Sequence, residues 1–265
     1  MKRPAGLPRL ADVKKRGQGV VDQLPTWLTQ KVPRDHRESD EAFARRRRVV
    51  GVVSVAGAAF LGAALSTEPN SRAFYLSTFG VAGTWVAGAF ASGPLHLGYM
   101  QSRHQELERP VIAPVLAGVG AFGVFFGSAL VARNIPVLDE ALRHVLQFAE
   151  QGSTSLVILT TLLNGAAEEL FFRGALFAAV GEKYPVPIST AVYMLATCAT
   201  RNPALVLAAG AMGALFGLQR RASGGVQAPI ITHATWSSLM LRYLPPLFRD
   251  DATSPTLTKI PSVAN

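Results

Sequence analysis

The chain has 265 residues, 49% of them apolar and only 16% charged, with a mean hydropathy of +0.26. Soluble domains carry about a quarter charged residues, so this balance argues against a water-soluble globule. Of the +9 formal charge, +7 lies in residues 1–48, which hold 13 of the 26 Lys and Arg and 6 of the 17 acids. The high pI therefore belongs to that segment. No aromatic interleaving or recognised nucleic-acid fold accompanies it, so nucleic acid is not an expected partner. A single cysteine, Cys198, excludes an internal disulfide and a thiolate metal cluster. Within its apolar run it reads as a small buried hydrophobe.

In chain order, residues 1–48 read as a basic cytoplasmic tail, mostly disordered, with one short helix near Val20 to Val32. The tail ends in Arg45-Arg46-Arg47-Arg48, directly against an apolar run. Such a block orients a first span with its N-terminus in the cytoplasm; beyond that it reads as a solvated linker. The run begins too late for a cleavable signal peptide of ordinary length, so the first span should insert uncleaved.

Apolar runs follow at 49–65, 73–92, 111–132, 153–180, 186–200, 203–219 and 225–244. Crossing a bilayer takes about 20 residues. The expected architecture is all-α, a polytopic transmembrane bundle of seven spans, with six or eight the neighbouring counts. Residues 49–110 form its N-terminal helices, 111–245 the domain that carries the chemistry, and 246–265 a C-terminal tail. Residues 136–149 alternate polar and apolar at helical spacing and suit an interfacial helix. Arg220-Arg221 adds positive charge on the side expected to be cytoplasmic. Gly123 with Gly127, and Gly213 with Gly217, have the spacing that lets helix backbones approach closely. The expected location is the cell (plasma) membrane.

The fourth span contains Glu168, Glu169 and Arg173 within six positions. At the membrane centre an Asp, Lys or Arg costs about 2.5–3.5 kcal/mol even on insertion scales, so such groups mark function. Glu169 and Arg173 are four apart with the acid N-terminal, the favourable order for a helical ion pair. Glu168 points about 100° away and is left to face a cavity as the reactive carboxylate. Counting about 1.5 Å per residue, Glu168, His233 and Thr197 lie about 18, 13 and 17 Å from the cytoplasmic side. Three helices thus bring polar groups to one level. Ser237, four residues after His233, shares its face. A purely structural polar cluster is the alternative to a reactive one.

Glu168-Glu169-x-x-x-Arg173, followed by an aromatic-rich helix and a last helix bearing His233, resembles the CPBP family over residues 111–245. That family comprises type II CAAX prenyl endopeptidases and the bacteriocin-processing or immunity proteins also called Abi. The resemblance implies a glutamate-dependent intramembrane endopeptidase with an all-helical fold and no metal or organic cofactor. It implies that Glu168 activates water, Glu169 and Arg173 scaffold it, and His233 with Ser237 forms the oxyanion side. The implied partners are the lipid bilayer and a membrane protein or lipidated peptide as substrate, with CAAX-type substrates the class that the resemblance names. Two positions depart from the pattern. The family's Phe-x-x-x-His aligns with Tyr193 to Thr197, and its closing His-x-x-x-Asn with His233 to Ser237. Threonine cannot accept a proton at neutral pH as imidazole can. Two rivals stay open: a catalytically impaired adaptor or immunity-type protein on the same fold, and a small transporter using the same polar cavity.

Overall fold

The structure, a computed structural model, describes residues 38–101 and 106–249. Residues 1–37 of the expected tail, with its helix near Val20 to Val32, lie outside the described residues, as do residues 250–265; residues 40–48, the end of that tail, are helical.

The described chain is almost entirely helical. Its elements are α1 (Asp40–Ala64), α2 (Arg72–Ser92), α3 (Ile112–Ala132), α4 (Pro136–Gln151), α5 (Thr154–Val180), α6 (Pro185–Thr197), α7 (Pro203–Ser223), α8 (Gln227–Tyr243) and α9 (Pro245–Phe248). A two-residue antiparallel pair, β1 (Met100–Gln101) with β2 (Leu107–Glu108), sits between α2 and α3. Five helices, α1, α2, α3, α5 and α7, are long and apolar enough to cross a membrane. The other two expected spans appear as the shorter helices α6, of 13 residues, and α8, of 17. The amphipathic segment after α3 is helical, as its periodicity predicts. Its buried residues are Ala141, Leu146 and Phe148.

Local chemistry explains the helix limits. Ser39 caps α1 by accepting from the Ala42 amide, and Asp40 and Glu41 occupy the first turn, where carboxylates favour a helix N-terminus. The helix therefore starts at Asp40 and contains all four arginines, earlier than the apolar run alone predicts. Asn202 caps α7 by accepting from the Leu205 amide, Pro203 opens it, and Gly224 ends it at φ +74°. A 3-10 turn at Cys198–Thr200 stops α6.

Three of the four arginines, Arg45, Arg47 and Arg48, are exposed; Arg46 is not. It is 1% exposed, a correction to the solvated-linker reading of the block. Its guanidinium pairs with Glu38 and donates to Ser92 Oγ at 3.0 Å and to the Pro94 carbonyl at 3.2 Å. It ties the start of α1 to the end of α2. That hydrogen-bonded pairing holds the Glu38 carboxyl below its ordinary value of 4.5.

The core forms where α2 meets α5. Trp85, fully buried, lies 4.7 Å from Phe171 and 4.9 Å from Phe172 between ring centroids. The other side of Trp85 fills the space left by Gly57 on α1, where a Cβ would clash with the indole at 2.2 Å. The Gly213 and Gly217 expectation holds: side chains there would press on Thr190, Arg173, Tyr193 and Val186. Gly123 and Gly127 are a correction, since both face open space in the chain. Cys198 is another, being exposed because its 3-10 turn carries it off the packed face of α6.

A backbone crossing joins the stretch after α2 to the turn between α7 and α8. His96 and Leu97 carbonyls accept from the Val226 and Gln227 amides at 2.9 and 3.0 Å, and the Tyr99 amide donates to Ser223 at 2.9 Å. Gly98, at φ +86°, and Gly225 allow it, because a Cβ on either would strike the opposing main chain within 2.5 Å.

Candidate active site

The middle of α5 is not regular. From Glu169 to Leu176 it widens into a π-helix, a feature that recurs at functional sites. Its Arg173 carbonyl also accepts from Arg220 Nε on α7 at 2.6 Å, an inward task for a residue that the sequence offered only as an orientation signal. Phe171 and Phe172 point into the Trp85 core and fix how the segment is rotated.

Glu169 is fully buried. Its Oε1 accepts from Arg173 Nη1 at 3.1 Å, and His233 Nδ1 on α8 lies 3.0 Å from the same oxygen. A carboxylate paired with arginine only accepts, so the hydrogen of this second contact sits on Nδ1. The imidazole is therefore oriented by Glu169 and turns Nε2 away. It also stacks on Phe216 of α7, with centroids 4.9 Å apart and planes at 21°. Its other support is Gly165, one turn before Glu168, where an added Cβ would meet the ring at 3.3 Å.

Arg173 is as buried as its partner. Its Cζ lies 4.6 Å from the centre of the Tyr193 ring and 5.0 Å from that of Phe216. Nε and Nη2 have no hydrogen-bond partner among the described residues. Aromatic faces thus offset part of the cost of burying this cation.

Glu168 has different surroundings. It is partly exposed, and its Oε2 accepts from the Tyr193 hydroxyl of α6 at 2.6 Å. Among the described residues this is the only hydrogen bond to its side chain, leaving Oε1 uncommitted. The same Tyr193 ring packs against Arg173, which links Glu168 to the Glu169–Arg173 pair.

The structure thus gathers Glu168, Glu169, Arg173 and His233 into one cluster. Thr197 and Ser237 are buried beside it but bonded to none of the four. The Thr197 hydroxyl donates to the Tyr193 carbonyl of its own helix at 2.8 Å. Two contacts were missed from sequence: Tyr193 on Glu168, and the seat that Gly165 and Phe216 make for His233. Tyr193 was findable, because it lies one helical turn from Thr197 on the same face.

Fold and site define a class: an integral-membrane helical bundle whose interior holds a carboxylate, guanidinium and imidazole cluster. Residues 150–239 match the family described as Rce1-like, Type II CAAX prenyl endopeptidase Rce1-like. The matched stretch is 90 of the 265 residues, and it contains every residue of the cluster. That match agrees with the CPBP resemblance of the sequence. No curated protein and no solved structure matches the chain.

Proposed function

We propose that the protein is a glutamate-dependent intramembrane endopeptidase acting on a membrane-associated, CAAX-type substrate, with its N-terminus in the cytoplasm. One observation carries the reading: Glu168 keeps one carboxylate oxygen uncommitted beside a buried imidazole that a second carboxylate orients. Glu168 is the base. It takes a proton from water as the water oxygen bonds to the scissile carbonyl carbon, and the carbonyl pair moves onto oxygen. Collapse reforms the carbonyl and breaks the C–N bond, while the proton on Glu168 passes to the departing nitrogen. Base assistance of this kind supplies about 10²- to 10⁴-fold in rate.

Charge balance assigns the rest. Glu169 and Arg173 cancel, so the cluster is neutral when Glu168 is ionised and His233 is the imidazolium. Only in that form does Nε2 donate to an oxyanion, since Nδ1 already gives its hydrogen to Glu169. Ser237, buried one turn further along α8, is the second candidate donor.

The test is cleavage of a membrane-bound peptide by purified wild type and Glu168→Ala. Equal turnover removes Glu168 from the mechanism. One observation favours a second reading, a non-catalytic adaptor: Thr197 spends its hydroxyl on its own helix and offers no proton acceptor. A large gain in cleavage from Thr197→His supports a weakened protease; no cleavage with partner binding intact supports the adaptor.

A further inference from the structure

Tyr193 makes no bond in the reaction just described, yet its hydroxyl is held on the proposed base. The O···O distance of 2.6 Å lies in the range of hydrogen bonds to ionised acceptors. Its ring has little freedom to leave. Phe172 packs against it at 4.6 Å between centroids, and the Arg173 Cζ lies 4.6 Å from its centre. The bare backbone of Gly213 approaches so closely that a Cβ there would sit 3.4 Å from Tyr193 Cδ1.

A glutamate's last torsion is broad and nearly two-fold, so an unheld carboxylate presents either oxygen in many orientations. We infer that Tyr193 is the positioning residue of Glu168: it claims Oε2 and thereby fixes Oε1 as the oxygen that meets the reacting water. The inference rests on the endopeptidase reading. In the step, Oε1 takes the water proton and returns it to the leaving nitrogen, while Tyr193 keeps its own proton throughout. Arg173 then orients both carboxylates, Glu169 by direct hydrogen bonding and Glu168 through the phenol stacked on it.

The experiment uses the full chain in detergent micelles with an internally quenched, farnesylated peptide ending in a CAAX sequence. Tyr193→Phe keeps the ring and removes the hydroxyl. The expected result is a fall in kcat of about 10- to 100-fold with KM within about twofold, the size of a misplaced reacting group. In a Glu168→Asp background, whose shorter side chain forfeits the contact, Tyr193→Phe should change the residual rate no further. Tyr193→Phe at wild-type rate, a rise in KM alone, or an undiminished fall in the Glu168→Asp background would overturn the inference. If wild type cleaves and Glu168→Gln does not, those outcomes leave the endopeptidase reading standing. Failure of wild type to cleave overturns that reading, and the inference with it. The contact can also be read without altering Tyr193. In ring-deuterated tyrosine protein, a tyrosine C–O infrared band must move between wild type and Glu168→Asp, and an unmoved band excludes the contact.

Discussion

Glu168 and Glu169 are neighbours in sequence and opposites in setting. Glu169 is sealed among Arg173, His233 and aromatic rings and has become part of the scaffold. Glu168 keeps one tyrosine contact, partial exposure and an uncommitted oxygen. On the proposed reading, one helical step thus separates a scaffolding charge from a reacting one. In a medium that penalises every unpaired charge, the two roles differ in how many partners each carboxylate has.

Substitutions can break that contrast, and the largest expected effect belongs to the carboxylate proposed to act. Glu168→Gln should lower cleavage by about 10²- to 10⁴-fold and leave the thermal midpoint in detergent near wild type. A comparable loss of stability would make Glu168 scaffold too. Arg173→Met should do the reverse. Leaving Glu169 buried and unpaired costs about 3–5 kcal/mol, read as a fall in the denaturation midpoint, and adding Glu169→Gln should recover most of it. Gly165→Ala pushes on the His233 ring from 3.3 Å. A shift of a few tenths of an ångström should lower kcat by about tenfold, with folding unchanged by circular dichroism.

The smallest effect lies outside the cluster, at Glu38. Its carboxyl is held below 4.5 in the folded protein by Arg46. The stability it contributes is therefore present above that pH and is lost as pH falls through the lowered folded value. The midpoint difference between wild type and Glu38→Gln should stay constant near neutrality and shrink only in acid below about 4.5. A difference already vanishing at neutral pH would remove Glu38 as the partner of Arg46.

Much of this was legible in the sequence, for a definable reason. Hydropathy located the helices, because apolar runs of bilayer length have few alternative fates. The four-residue spacing of Glu169 and Arg173 anticipated their ion pair, because the contact is local to one turn. Contacts between helices were less legible. The depth count brought His233 level with the glutamates, but rise alone does not say which carboxylate it meets, and it meets Glu169. Nor did it reveal the π-helix, whose wider turn changes the rotation of everything after Glu168. Arg46 looked like its three neighbours because a run of identical residues hides the one that points inward. Gly123 and Gly127 had the spacing for helix packing without a helix opposite them.

The crossing of Gly98 over Gly225 has a consequence for how the molecule can be dissected. The strap before α8 is sewn to residues 96–99 by main-chain bonds, so the angle at which α8 presents His233 is set partly by a stretch outside the family-matched segment. Cutting the gene at the edge of that segment would leave the last helix without its template. Two fragments divided between β2 and α3 and made in one cell should reassemble, whereas the C-terminal fragment alone should not hold its imidazole in register.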